Sequence, residues 1–369
     1  MKLFSKTDFG LENFLKKEFE ERFEIKGSLV NNIFLFEANL EKAIELSYLS
    51  QSISDLGFVL FEKELNEINE QELIKQIFEK LDLKSIPNLR ELSDFSVSIE
   101  TNDEIIKSKS FELANQLADS LSERFSANKN FKSAKRKFTL SIQKINNSFH
   151  CVLGLSLFNI DLSRRTYRVF VNKTGLKPLT AFALVLFSEL NRKQKVVDFL
   201  CKDNTLILEA YHYLSNRSVR FYDKTELSNS ASIDFEFDKI FNKVDGKEFE
   251  GINLFATDMA FPNIDAARKN AKIAGIAKKI RFSKIDLRFF DVSFDEPFDK
   301  AITYISLSKY KNNDILDKIK KYVLPVIKLD LNIITNLTEE FEKRGFNIIK
   351  KVELNQKGLK LNLLKILPE

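Results

Sequence analysis

The stretch VVDFLCKDNTLILEA (residues 196–210) sets a β-branched run against an acid, Asp198, then a short polar loop, then a helical pattern. Strand, loop and helix in that order form the usual cradle of a nucleotide-type cofactor, which meets the loop and the first turn of the helix. This loop has no glycine. Two more acids recur downstream: Asp258 ends NLFATD (253–258) and Asp286 ends KIRFSKID (279–286). In an open parallel sheet, ligands sit beyond the carboxyl ends of the strands, near the point where strand order reverses. An acid ending the second strand can accept hydrogen bonds from ribose hydroxyls. One at the end of the third, or its neighbour, can meet an adenine amine. A single acid there is as well read as the start of a loop, but three in this order point to an adenosine-type cofactor site.

A second kind of chemistry lies upstream. Residues 121–180 hold twelve Lys/Arg, opposed only by Glu123 and Asp161, although the whole chain carries a net charge of just +5. A concentrated basic segment on an otherwise acidic chain is the footprint of phosphate-backbone binding, the alternative being a solvated lysine-rich surface.

The elements that must position these residues follow from periodicity. Residues 1–60 read as a small α+β unit. KLFSKT is a strand, and GLENFLKKEFEERF is a helix through Leu11, Phe14, Leu15, Phe19 and Phe23. NNIFLFEA is a strand, LEKAIELSYLSQSISDL (40–56) a helix and GFVLFEKEL a strand. NEQELIKQIFEKLDL follows as a helix. A second unit begins with the strand DFSVSIET (94–101). The helix SKSFELANQLADSLSERF (108–125) follows, with Phe111, Leu113, Leu117 and Leu121 expected inward, and then the hairpin KFTLSIQKINNSFHCVLGLSL (137–157). From about 178, strands and helices alternate: a helix over PLTAFALVLFSELN, a strand KVVDFL (195–200), a helix TLILEAYHYL (205–214), and so on to NDILDKIKKYV (313–323) and VIKLDLNII (326–334). This pattern predicts a mainly parallel, doubly wound sheet. The last two strands, NIIKKVEL and LKLNLLKIL, are joined so tightly that they must be antiparallel.

Composition narrows the classes. The longest apolar run, AFALVLF (181–187), is far too short for a bilayer, and the first residues read as structure rather than as a signal peptide. The two cysteines, Cys151 and Cys201, lie far apart and suggest a reducing, cytoplasmic setting rather than a disulfide scaffold. With only two histidines, His150 and His212, no His-based metal site is expected. Cys201 has no identifiable base and reads as a small buried residue, and His212 reads as an ordinary helix residue.

Taken in order, several segments resemble one family, the THUMP-domain RNA methyltransferases. DFLCKDNTLILEA (198–210) resembles the family loop D-P-F-C-G-S-G-T-I-L-I-E-A, matching at Asp198, Cys201, Thr205 and Glu209. LFATDMAFPNIDAARKNAKIAGI (254–276) resembles the segment G-x-D-x-D followed by A-R-x-N-A-x-x-A-G, through Asp258, Ala267, Arg268, Asn270, Ala271, Ala274 and Gly275. LSRRTYRVFVNKTGLKPL resembles the family's L-x-R-R-G-Y-R joint through Arg164, Arg165, Tyr167, Arg168, Leu176, Lys177 and Pro178, and FSKTDFGLENFLKKEF resembles its T-x-x-G-L-E opening. The resemblance implies an N-terminal ferredoxin-like domain (1–65), a THUMP RNA-binding domain (66–165) and a Rossmann-like methyltransferase domain (166–369). It implies S-adenosylmethionine as cofactor, contacted at Asp198, Cys201, Asn204, Thr205, Asp258 and Asp286. It also implies tRNA or ribosomal RNA as partner, methylated at the guanine exocyclic amine. Lys135, Arg136, Lys137, Arg164, Arg165, Arg168 and Lys177 are then the expected RNA contacts.

Two departures bear on catalysis. The family's G-S-G is Lys202, Asp203 and Asn204 here. Asn and Asp tolerate left-handed backbone, so the turn can survive, with the Lys202 side chain a candidate obstruction to the cofactor's approach. The catalytic N-P-P-Y should follow the fourth strand, where FDKAITYISLSKY places Tyr304, Ile305, Ser306 and Leu307. Oriented acceptors for the target amine are thereby lost, and these are a large part of such catalysis. Tyr310 remains as an aromatic that could stack on a base. Three readings stay open: a working methyltransferase with diverged motifs, a non-catalytic RNA-binding relative and a protein-interaction module. The departures favour impaired or lost catalysis.

Overall fold

Period-two alternation and β-branched runs build two sheets, described by a computed structural model for all residues except Ser133, 307–313, 357–358 and Glu369. The N-terminal half contains β1 (Lys2–Lys6), α1 (Glu12–Phe23), β2 (Gly27–Val30), β3 (Ile33–Glu37), α2 (Leu40–Leu49), β4 (Asp55–Leu65), α3 (Glu70–Lys80), β5 (Asp94–Thr101), α4 (Glu104–Ser108), α5 (Ser110–Phe125), β6 (Asn128–Lys129), β7 (Arg136–Ile145) and β8 (Ser148–Ser156). Its strands form one eight-stranded sheet in the order β2-β3-β1-β4-β8-β7-β5-β6. β4 joins the two halves of this sheet by antiparallel pairing with β8, from Gly57 opposite Ser156 to Leu65 opposite Phe149.

The C-terminal half runs α6 (Pro178–Phe187), β9 (Lys195–Asp198), α7 (Thr205–Ser215), α8 (Lys224–Asn229), α9 (Phe237–Asp245), β10 (Asn253–Asp258), α10 (Phe261–Ile273), β11 (Ile280–Lys284), β12 (Phe298–Ile305), α11 (Asp314–Lys318), β13 (Ile327–Thr335), α12 (Thr338–Lys343), β14 (Asn347–Gln356) and β15 (Leu359–Leu367). The sheet order is β11-β10-β9-β12-β13-β15-β14. β9 pairs in parallel with β10 on one side and β12 on the other, which makes the gap beyond β9 and β12 the switch point. β15 inserts antiparallel between β13 and β14, as the short connection requires. One apolar layer, with α6, α7 and α10, covers one face, and another, with α11 and α12, covers the other. The fold is therefore the doubly wound, Rossmann-like arrangement expected.

Two local expectations are corrected. The helix expected over 40–56 stops at Leu49, because the buried Glu18 carboxylate accepts from the backbone N–H groups of Gln51 and Ser52 and from the hydroxyls of Ser50 and Ser52, holding this segment extended. Phe111 is 77% exposed rather than inward. The buried stripe of α5 is Leu113, Ala114, Leu117, Ala118 and Leu121, and a residue two positions before Leu113 faces away from it. Within residues 215–252, α8 and α9 form and pack on the N-terminal core. Phe241 meets Tyr48 with ring centroids 4.4 Å apart, and Phe237 meets Phe158 at 5.8 Å.

Candidate functional site

The site begins at the end of β9. Val196 and Val197 are fully buried, and Asp198 closes the strand with its carboxylate inside. Asp198 Oδ1 accepts from the Leu200 N–H at 3.0 Å and from the Thr303 hydroxyl at 2.9 Å, which ties β9 to β12. Burial raises its pKa to about 7, against the lowering effect of those two donors and of Lys202. Cys201 is also buried, and desolvation together with nearby Asp198, Asp258 and Asp203 pushes its thiol well above the ordinary range. It is a packing residue, as its lack of a base implied.

The turn survives without glycine through left-handed residues. Lys202 adopts φ 50° and Asn204 φ 68°. Asp203 caps α7 in place of Asn204, accepting the Thr205 hydroxyl at 2.8 Å on Oδ1, while Oδ2 takes the Arg168 guanidinium at 3.2 Å and the Asn172 N–H at 3.1 Å. The chain around Asn172–Leu176 thus lies over the loop as a strap. A Cβ at Gly175 would stand 2.4 Å from Asp203 Oδ2, so only glycine permits this approach. Asn204 is fully buried, and both polar atoms of its side chain lack a partner among the described residues.

The geometry shows how the Lys202 side chain is held. Its N–H donates to Asp258 Oδ2 at 3.2 Å. Its side chain crosses the switch point, and Nζ donates to the Tyr304 carbonyl at 3.1 Å and the Thr174 carbonyl at 3.4 Å. The ammonium also lies 3.9 Å from the Tyr304 ring centroid. Asp198, Cys201, Thr205, Leu200 and Tyr304 enclose it, leaving a cavity of about 10 Å³, room for one water.

The other acids divide. Asp258 is buried at the end of β10 and accepts the Ala260 N–H at 2.9 Å as well as that of Lys202. Asp286 lies just beyond β11, paired with Arg288 at 2.8 Å, whose guanidinium and N–H hold its pKa down at about 2. On the acceptor side, Tyr304 is half-buried, Ile305 is wholly within the apolar layer and Ser306 is nearly buried. Leu307 and Tyr310 lie outside the described residues.

The expected RNA contacts also divide. Arg165 has no exposed side chain surface. It pairs with Glu209 through Nε at 2.8 Å and Nη2 at 3.2 Å, and its remaining donors reach the carbonyls of Gln51, Leu162 and Ser163. Every guanidinium donor is used internally, so Arg165 is withdrawn from the RNA-facing set. Arg136 is buried, and Arg168 anchors the loop through Asp203 and the Thr205 hydroxyl. Lys135 and Arg164 are exposed, as is Lys177, with 67% of its side chain open. Lys137 lines a groove of about 360 Å³ and Arg164 an adjoining one of about 280 Å³, the two sharing residues 159–161. Lys177 reaches Asp8 on the rim of the first. Sequence reasoning missed the buried polar network of Glu18, Gln51, Glu209 and Arg220, which no local pattern announces.

His212 is buried and neutral, its pKa lowered to about 3 chiefly by burial, and it stacks on Tyr167 at 5.5 Å. Among the described residues there is no cluster of three or more His, Cys, Asp or Glu suited to a metal, and no helix long and apolar enough to cross a membrane.

Comparison with known proteins adds to this geometry. Residues 165–304 match the family model UPF0020, the RMKL-like methyltransferase domain. The ribosomal RNA large subunit methyltransferase K/L of Buchnera aphidicola is 30% identical over 151 residues, 38% of this chain and 21% of that protein, so the match spans about a fifth of the relative's length. Among solved structures, TrmN from Thermus thermophilus aligns over 100% of this chain and 99% of its own at 16% identity, with a TM-score of 0.76. SMU.472, solved in complex with SAH, aligns over 100% and 98% at 18% identity, with a TM-score of 0.78. Over the full chain the fold is the one shared with TrmN and SMU.472.

Proposed function

We propose that this chain binds RNA, tRNA first among the candidates, and descends from enzymes that transfer a methyl group from S-adenosylmethionine to a guanine exocyclic amine, with its own catalysis impaired or lost. Residues 1–65 and 66–165 serve as ferredoxin-like and THUMP domains that present the RNA, and 166–369 as the methyltransferase domain. Asp258 and Asp286 would hold the adenosine end of the cofactor. The observation that carries the reading is the Lys202 side chain lying across the switch point, which leaves about 10 Å³ where a cofactor's amino-acid end must pass. The residues present do not accommodate the whole cofactor in this arrangement. The alternative emphasis is a scaffold whose only remaining work is RNA binding, supported by the exposed Lys135, Arg164 and Lys177.

The test is a salt series of tRNA binding, read by fluorescence anisotropy, for the wild type and a variant with Lys135, Lys137, Arg164 and Lys177 all changed to Glu. The wild type should bind, and its dependence on log salt should be steeper than the variant's by about 0.7–0.9 for each phosphate that the variant no longer neutralises. Absence of binding by the wild type, or identical curves, would reject the RNA reading.

A further inference from the structure

We propose that Lys202 is a built-in competitor of the cofactor: its ε-ammonium occupies the switch-point crevice between β9 and β12, and any S-adenosyl ligand must first displace it. The inference rests on the reading of this crevice as a cofactor site. Three features converge. The position is the one at which a doubly wound sheet receives its ligand, outside the carboxyl ends of the strands where their order reverses. The residue is fixed there by its backbone N–H on Asp258 Oδ2, and the side chain by Nζ on the carbonyls of Tyr304 and Thr174. The Tyr304 ring, 3.9 Å from Nζ, adds a cation–π contact in a largely dehydrated setting, where such contacts are strongest.

The acid expected to face the ribose is not itself blocked. Asp258 accepts the backbone N–H of Lys202 on one oxygen and that of Ala260 on the other, and each oxygen keeps a second lone pair for a ribose hydroxyl, so the contest with Lys202 is for space alone. A ligand that binds only the conformation with Lys202 swung out has its apparent affinity reduced by the fraction of molecules in that conformation. If that fraction is about one in ten or less, removal of the side chain tightens binding roughly tenfold or more. The backbone favours the test, because φ 50° at Lys202 is a conformation that glycine adopts without strain and asparagine with little.

The experiment is calorimetric titration of S-adenosylhomocysteine into the full-length wild type, Lys202→Gly, Lys202→Asn and the double variant Lys202→Gly/Asp258→Ala, each confirmed as folded by circular dichroism. Both short side chains should bind at least about tenfold more tightly than the wild type, and the double variant should show no such improvement. Equal affinity in the wild type and both short variants would overturn the proposal, as would absence of binding in both. Affinity for tRNA, measured on the same samples, reports separately on the functional reading. Intact tRNA binding with equal S-adenosylhomocysteine affinities removes the competitor alone, whereas absence of tRNA binding by the wild type removes the RNA reading.

Discussion

Asn204 holds a backbone conformation that glycine would adopt without strain. It sits at φ 68°, fully buried, with neither amide atom of its side chain paired among the described residues. A buried polar group without a partner costs about 1–3 kcal/mol, against about 0.5–1 kcal/mol of added chain entropy when glycine is restored. Asn204→Gly should therefore stabilise the protein by about 1 kcal/mol, seen as a raised denaturation midpoint; a lowered midpoint would mean the side chain has a role not accounted for. His212 makes a pH-dependent contribution of known sign. Its folded pKa, about 3, lies below the ordinary 6.5, so the unfolded chain takes up the proton first. The stability it contributes is present above pH 6.5 and is lost as pH falls from there towards 3. Replacing it by Phe should flatten the slope of unfolding free energy between about pH 6 and 5 by up to ~1.4 kcal/mol per pH unit, and an unchanged slope would show that another group titrates there. The sequence announced the strand-end acids, because their position follows from strand pattern alone. It could not announce that Arg165 is a buried partner of Glu209, since a basic joint segment looks the same whether its guanidinium faces RNA or a carboxylate.

At the scale of elements, β9, β10 and β12 were legible because central parallel strands read as continuous β-branched and apolar runs. The end of α2 was not, since it is set by Glu18 from another helix rather than by a local breaker. The segment holding α8 and α9 was equally opaque: its apolar residues Phe237, Ile240, Phe241 and Val244 keep helical spacing only over a short helix, and their partners lie far upstream, at Tyr48 and elsewhere in the N-terminal core. This packing makes a prediction. Phe241→Ala should cost about 3–5 kcal/mol in urea denaturation, because the cavity opens within the N-terminal core. A change below about 1 kcal/mol would show that α9 is only loosely attached.

Across the whole molecule, Arg165, Glu209 and Gln51 fasten the N-terminal sheet to the methyltransferase-type domain, while α1 packs on α6 through Leu11 and Phe14. Arg165→Ala should destabilise the chain by about 3–5 kcal/mol, since it strands the buried Glu209 carboxylate. Arg164→Ala should leave stability within about 0.5 kcal/mol and weaken tRNA binding instead. Neighbouring arginines would thus separate a structural role from an interfacial one, and similar losses of stability in both would erase the distinction. The central claim is that an RNA-binding surface has been kept on a fold whose methyl-transfer site is obstructed. It is tested most directly by incubating excess wild-type protein with unmodified tRNA and methyl-labelled S-adenosylmethionine, and counting label in the RNA. The account predicts tRNA bound but label no higher than with heat-denatured protein. Label approaching one methyl group per tRNA would contradict it.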